Sequence, residues 1–73
     1  MTTAPELETY VSTALLHRIR GEFLEMPGLR LTLPQAMRLW NLDAATCEGA
    51  LGLLVHDHFL RETAHGAFLR AEA

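Results

Sequence analysis

Two histidines and a carboxylate stand together at His56, Asp57 and His58, and imidazole and carboxylate groups are common ligands of metal ions. Side chains at positions i and i+2 of a helix point in different directions, so a metal site would need the distant His17 or His65 as well. Histidine is also favoured at the end of a helix by the negative end of the helix dipole. We therefore expect these three residues to lie at the end of a helix, and we expect the protein to bind neither a metal ion nor a cofactor.

Cys47 is the only cysteine, and it falls among the apolar positions of an expected helix. A thiol becomes a nucleophile when a basic neighbour lowers its pKa, and neither sequence neighbour of Cys47 is basic. We expect Cys47 to be a small buried side chain, and Trp40 to be a core anchor. The sequence also lacks a Ser-His-Asp order, a glycine-rich phosphate loop and paired inward carboxylates. We therefore predict that the protein is not an enzyme.

The chain of 73 residues carries a net charge of -3, and all 6 of its basic residues are arginine. This length accommodates one domain, which we expect to span residues 1–73. The single cysteine, the lack of a signal-like N-terminus and the lack of a long apolar run lead us to expect a cytoplasmic location, with no membrane partner. An acidic chain has no long-range attraction to phosphate backbones, which argues against strong nonspecific DNA binding.

The elements that would position these residues begin with a helix. Apolar residues recur at intervals of three and four, which predicts an amphipathic helix over residues 6–25 after a frayed N-terminus at residues 1–5. The Met-Pro-Gly sequence that follows should end this helix, because proline removes a backbone donor and glycine accepts positive φ. Residues 29–31 alternate in polarity and predict a short strand.

Two further helices are predicted from their capping residues. Thr32 and Gln35 have the spacing of a capping box, which predicts a second helix over residues 33–40. Asp43 is a good N-cap, and it predicts a third helix over residues 44–57.

Asn41, between these two helices, can adopt the left-handed conformation that ends a helix. Two short apolar runs then flank Ala64-His65-Gly66, which predicts a β-hairpin over residues 59–70. The fold class is therefore mainly α with a minor β part: helix, short strand, helix, helix and a C-terminal hairpin.

The second and third helices contain a spaced set of residues, Ala36-Met37, Trp40-Asn41, Leu42, Asp43, Thr46-Cys47 and Leu51. The hairpin contains His58-Phe59-Leu60 and Gly66-Ala67-Phe68-Leu69-Arg70. The first set resembles a helix-turn-helix motif, and the second resembles the wing of bacterial winged-helix proteins. The resemblance implies a three-helix winged helix-turn-helix fold and a small DNA-binding transcriptional regulator, with duplex DNA as its partner.

In such proteins the third helix enters the major groove. Its exposed positions here would be Ala44, Ala45, Thr46, Glu48, Gly49, Gly52 and His56. None of these is Arg, Lys, Asn or Gln, the side chains that make bidentate contacts to purines. Thr46 could contact a phosphate or a thymine methyl group, and Glu48 could accept from a cytosine amino group. Alternatively, Thr46 is a polar residue beside the cap, and Glu48 is a solvated residue favoured by the helix dipole.

The positive charges lie outside the third helix. The candidate phosphate contacts are Arg38 on the second helix and Arg61, His65 and Arg70 on the hairpin, the last three of which could align along one side. Alternatively, the two hairpin arginines are cross-strand neighbours of Glu62 and Glu72 and keep the hairpin soluble.

A second function class fits the same fold. The acidic net charge and the third helix without base-reading side chains favour a protein-interaction module, either a homodimer or a subunit that docks on a larger partner. Gly49 and Gly52 would let another backbone approach closely, although they could equally accommodate the domain's own first helix. Fold alone does not decide between the two functions.

Overall fold

The described part of the chain is mostly helical, with one small antiparallel sheet. A computed structural model describes residues 11–72. In chain order their elements are α1 (Thr13–Glu25), β1 (Leu31–Thr32), α2 (Leu33–Trp40), α3 (Ala44–His56), β2 (Leu60–Glu62) and β3 (Ala67–Arg70). The strands form one sheet in the order β1-β3-β2, so the last strand lies in the middle.

The capping residues act as the sequence predicts. The Thr32 amide donates to the Gln35 side chain at 2.9 Å, and the Gln35 amide donates to the Thr32 hydroxyl at 3.4 Å. Helix α2 ends at Asn41, which has left-handed backbone angles (φ 54, ψ 52). The Thr46 amide donates to the Asp43 carboxylate at 3.2 Å, and hydrogen bonding with Thr46 lowers the pKa of Asp43 below its ordinary value. Local hydrogen bonds therefore fix the turn between α2 and α3.

The predicted start of the first helix is wrong within the described residues. Ser12 has extended backbone angles, and its hydroxyl accepts from the Leu15 amide at 3.0 Å, so α1 begins at Thr13. Val11 continues the apolar spacing of the helix but lies before this cap, where it is buried. The rest of the predicted helix, at residues 6–10, and the predicted frayed end at residues 1–5 lie outside the described residues.

Three other boundaries differ slightly from the prediction. The first strand is Leu31–Thr32 rather than 29–31, because the Leu29 amide donates to the Met26 carbonyl in a turn at 2.8 Å. Helix α3 ends at His56, one residue early, and Asp57 is its C-cap. The paired strands β2 and β3 cover residues 60–62 and 67–70 of the predicted hairpin.

The core lies between the helices and the inner face of the sheet. Its fully buried side chains include Phe23, Ile19, Leu51, Leu54, Leu60 and Cys47. The rings of Phe23 and Trp40 are 6.3 Å apart and tilted by 58°, and Trp40 is 4% exposed, so the predicted anchor is confirmed. Burial raises the pKa of the Cys47 thiol, as do the charges of Asp43 and Glu48. Within residues 11–72, no helix has the length and apolar character needed to cross a bilayer.

His58 has a left-handed backbone (φ 64) in the turn after α3, and its side chain is exposed. Because this conformation is costly for residues with a Cβ atom, His58→Gly should raise the free energy of unfolding by about 0.5–1 kcal/mol. His56→Gly, in the last turn of α3, is the matched control and should lower it by about 1 kcal/mol. Urea unfolding followed by circular dichroism measures both, and a loss of stability in His58→Gly would contradict the assignment.

Candidate binding surfaces on helix α3, helix α2 and the hairpin

The two arginines of the hairpin lie on opposite faces of the sheet. Arg61 pairs with Leu69, and Arg70 pairs with the buried Leu60. Successive residues of a strand point to opposite faces, so Arg70 lies on the inner face and Arg61 on the outer one. The expected alignment of Arg61, His65 and Arg70 along one side is therefore wrong.

Arg70 belongs to a cluster that joins the base of the hairpin to α1. Its guanidinium lies 4.7 Å from the centroid of the Phe59 ring, and that of Arg20 lies 5.1 Å from the same centroid. Arg20 also donates to the Asp57 carboxylate at 2.7 Å, and Arg70 is 3.9 Å from the Glu72 carboxylate. No local pattern reveals this cluster, because Arg20 and Asp57 are 37 residues apart in the sequence.

The outer face of α3 consists mostly of small residues. Ala44, Ala45, Glu48, Gly52 and His56 are exposed, as expected, whereas Thr46 is half-buried beside the Asp43 cap. Gly49 was also expected to be exposed, but it is half-buried: a Cβ atom there would lie 3.1 Å from Val11 Cγ2. Gly49 therefore accommodates Val11 of this chain. Leu53, also on α3, is 44% exposed, although no pattern in the sequence singled it out.

A groove of about 450 Å³ separates α3 from the hairpin, with the start of α2 at one end. Its apolar lining includes Leu33, Val55 and Phe68, and the bare backbone of Gly52 adds to it. Three ionisable side chains border it, namely Glu48 on α3, Glu62 on β2 and His65 in the hairpin turn. Neither of the two ion pairs among residues 11–72 involves Glu48 or Glu62. We call this surface the acidic groove.

A second surface surrounds the outer side of α2 and the start of β1. It is a shallow, open depression of about 550 Å³, lined by Arg30, Leu31, Gln35, Arg38 and Leu39. Both arginines are exposed, and Leu39 is 52% exposed. In the described part of the chain, neither arginine forms an ion pair. We call this surface the basic patch; it shares no residue with the acidic groove.

The His56-Asp57-His58 cluster does not converge on one point. The Asp57 carboxylate is bonded to Arg20, and His58 lies in the left-handed turn. Among residues 11–72, no three His, Cys, Asp or Glu side chains lie close enough to hold a metal ion.

Comparison of the chain with protein-family models, with curated proteins and with solved structures finds no match. Any function proposed for it therefore depends on the charges, exposures and contacts of its own residues.

The different surroundings of the hairpin arginines predict different effects of substitution. Arg70→Ala removes a cation–π contact and the packing of its stem on Phe59, so it should lower the free energy of unfolding by about 1 kcal/mol. Arg61→Ala, on the outer face, should change it by no more than about 0.5 kcal/mol. Urea unfolding of both variants at one pH and salt concentration measures the difference, and equal effects would contradict the placement of Arg70.

Proposed function

We propose that this chain is a winged-helix domain that binds another protein. The order of helix, strand, helix, helix and hairpin supports the winged-helix assignment, as does the pairing of β1 with β3. The tight connection from α2 to α3 through Asn41 and Asp43 supports the helix-turn-helix within it. In this class, the third helix and the hairpin form one continuous contact surface.

The observation that carries the proposal is the charge of that contact surface. The acidic groove lies between the two elements that would face DNA, and it has a carboxylate on each side. None of the arginines lines it. A phosphate backbone would meet like charge there and would find no guanidinium to replace its counterions. A protein partner can supply both an apolar side chain for the lining and a cation for the carboxylates.

Exposed apolar side chains outside the groove are available to a protein partner. Leu39 and Leu53 are each exposed over about half of their surface, at 52% and 44%. Together with Leu24 and Met26, they place large apolar groups on α1, α2, α3 and the turn after α1. A chain of this length buries only roughly 60% of its unfolded surface, so a partner that covers these groups also stabilises the fold.

Duplex DNA remains the second candidate partner, with transcription regulation as the function. The observation that favours it is the outer face of the hairpin, where Arg61 is exposed and His65 is exposed in the adjacent turn. Such residues can contact phosphates without reading bases. The binding mode would be nonspecific in sequence, because α3 supplies neither an arginine nor an amide side chain.

A photo-crosslinking experiment tests the class of partner. A benzophenone-bearing amino acid in place of Gly52 projects into open space at the groove, because nothing beyond its chain neighbours and the backbone of its own helix lies within 4 Å of a Cβ position. On irradiation of cells that make the protein, we expect a crosslinked product that resists nuclease and is destroyed by protease. The same amino acid in place of His17, exposed on α1, is the control. A nuclease-sensitive product, or a yield at residue 52 no higher than at residue 17, would overturn the proposal.

DNA titration tests the second candidate separately. With a mixed-sequence duplex at low salt, we expect no binding at protein concentrations up to about 10⁻⁴ M, the weakest dissociation constant that is typical of nonspecific DNA binding even at physiological salt. Fluorescence anisotropy of a labelled duplex measures this. Arg18→Ala, an exposed arginine on α1, serves as the control for Arg61→Ala. Salt-sensitive binding that is lost in Arg61→Ala and kept in Arg18→Ala would establish the DNA candidate instead.

A further inference from the structure

Resting on the proposed protein-binding function, we propose that the partner is a second copy of this chain. In this association the basic patch of one molecule occupies the acidic groove of the next. The groove and the patch lie on one chain, carry opposite charges and each include exposed apolar surface.

The acidic groove has the features of a receptor site. Its volume of about 450 Å³ lies within the range of roughly 300–1,000 Å³ of sites that enclose a small ligand or a few side chains. Val55 and Phe68 contribute apolar surface, and Gly52 leaves the side of α3 open. Glu48 and Glu62 border this surface from two different elements. An incoming group therefore needs an apolar part with positive charge beside it.

The basic patch presents that combination. Leu39 is a large apolar side chain that is 52% exposed, in the last turn of α2. Arg38 is its neighbour in sequence, and Arg30 reaches the same patch from the segment before β1. The two guanidinium groups match the two carboxylates in number and are opposite in sign. Arginine pairs with carboxylates through two parallel hydrogen bonds, which fixes orientation as well as adding attraction.

The two sides of this contact are different surfaces, because the groove and the patch share no residue. Two molecules that exchange both contacts form a symmetric dimer, whereas molecules that each contact two neighbours form rings or open chains. The surfaces are small, and interfaces below about 1,200 Å² belong to weak, transient complexes. The association should therefore be reversible and weakened by salt, which screens exposed charges.

Sedimentation equilibrium of the full chain at low salt tests the proposal with two complementary variants. The groove variant, Glu48→Gln with Glu62→Gln, keeps an intact patch; the patch variant, Arg30→Gln with Arg38→Gln, keeps an intact groove. We expect the average mass of the wild type to rise with concentration to that of a dimer or of a larger assembly. Each double variant alone should associate at least about tenfold more weakly than the wild type. An equal mixture of the two should stop at a 1:1 dimer, because each complex has one intact contact and two blocked ends.

Matched controls separate the proposed contact from general effects of charge and folding. Glu25→Gln and Arg18→Gln change exposed charges on α1 and should leave association unchanged. Gly52→Leu should block the groove, whereas Gly21→Leu should not, although a Cβ atom at either glycine meets open space. Leucine has a higher helix propensity than glycine, so both substitutions should stabilise their helices. Lost association in Gly52→Leu would therefore not reflect unfolding.

Three results would overturn the inference: a wild type that stays monomeric at every concentration, association that both double variants retain, or a mixture that does not form the dimer. If the wild type stays monomeric while crosslinking from position 52 captures a different protein, the second-copy inference fails and the protein-binding function stands. A nuclease-sensitive crosslink would instead overturn that function, and the inference with it.

Discussion

The hairpin keeps its position because β3 pairs on both of its edges. An isolated two-stranded hairpin is at best marginally stable in water. Here Phe68 and Ala67 also pair with Leu31 and Thr32, so even a strand of two residues connects the hairpin to the helices. Because the second residue of that strand, Thr32, is also the N-cap of α2, the sheet passes directly into α2 along the chain. This junction lines one end of the acidic groove.

The local parts of the fold could be predicted from the sequence. Thr32, Asn41 and Asp43 each do what their residue types favour, because a cap requires only the residues within one turn of it. The start of α1 could not be placed, since Val11 fits the apolar spacing of the helix whether it lies inside the helix or packs beside Gly49. The packing of Val11 against α3 decides between these two positions, and the spacing of apolar residues along the sequence contains no information about that packing.

The candidate site was predictable only in part. Glu48 and Arg38 were identified as candidate contact residues, but their assembly into two surfaces of opposite charge depends on Glu62 in β2 and on Arg30, which precedes β1. The faces of Arg61 and Arg70 follow from the strand register, and a shift of one residue would exchange them. The net charge of -3 did not indicate the charge of either surface, because it sums the charges of an acidic groove and a basic patch.

The burial of Cys47 has a practical consequence. This side chain has no solvent exposure. Its burial is the main cause that raises the pKa of the thiol, and the negative charges of Asp43 and Glu48 raise that pKa further. Thiols react as thiolates, so in the folded protein Cys47 is shielded from alkylating reagents both by access and by ionisation. Because Cys47 is the only cysteine, the rate of its alkylation reports the opening of the core around α3. The chain thus carries its own probe of folding, readable by mass spectrometry without an added label.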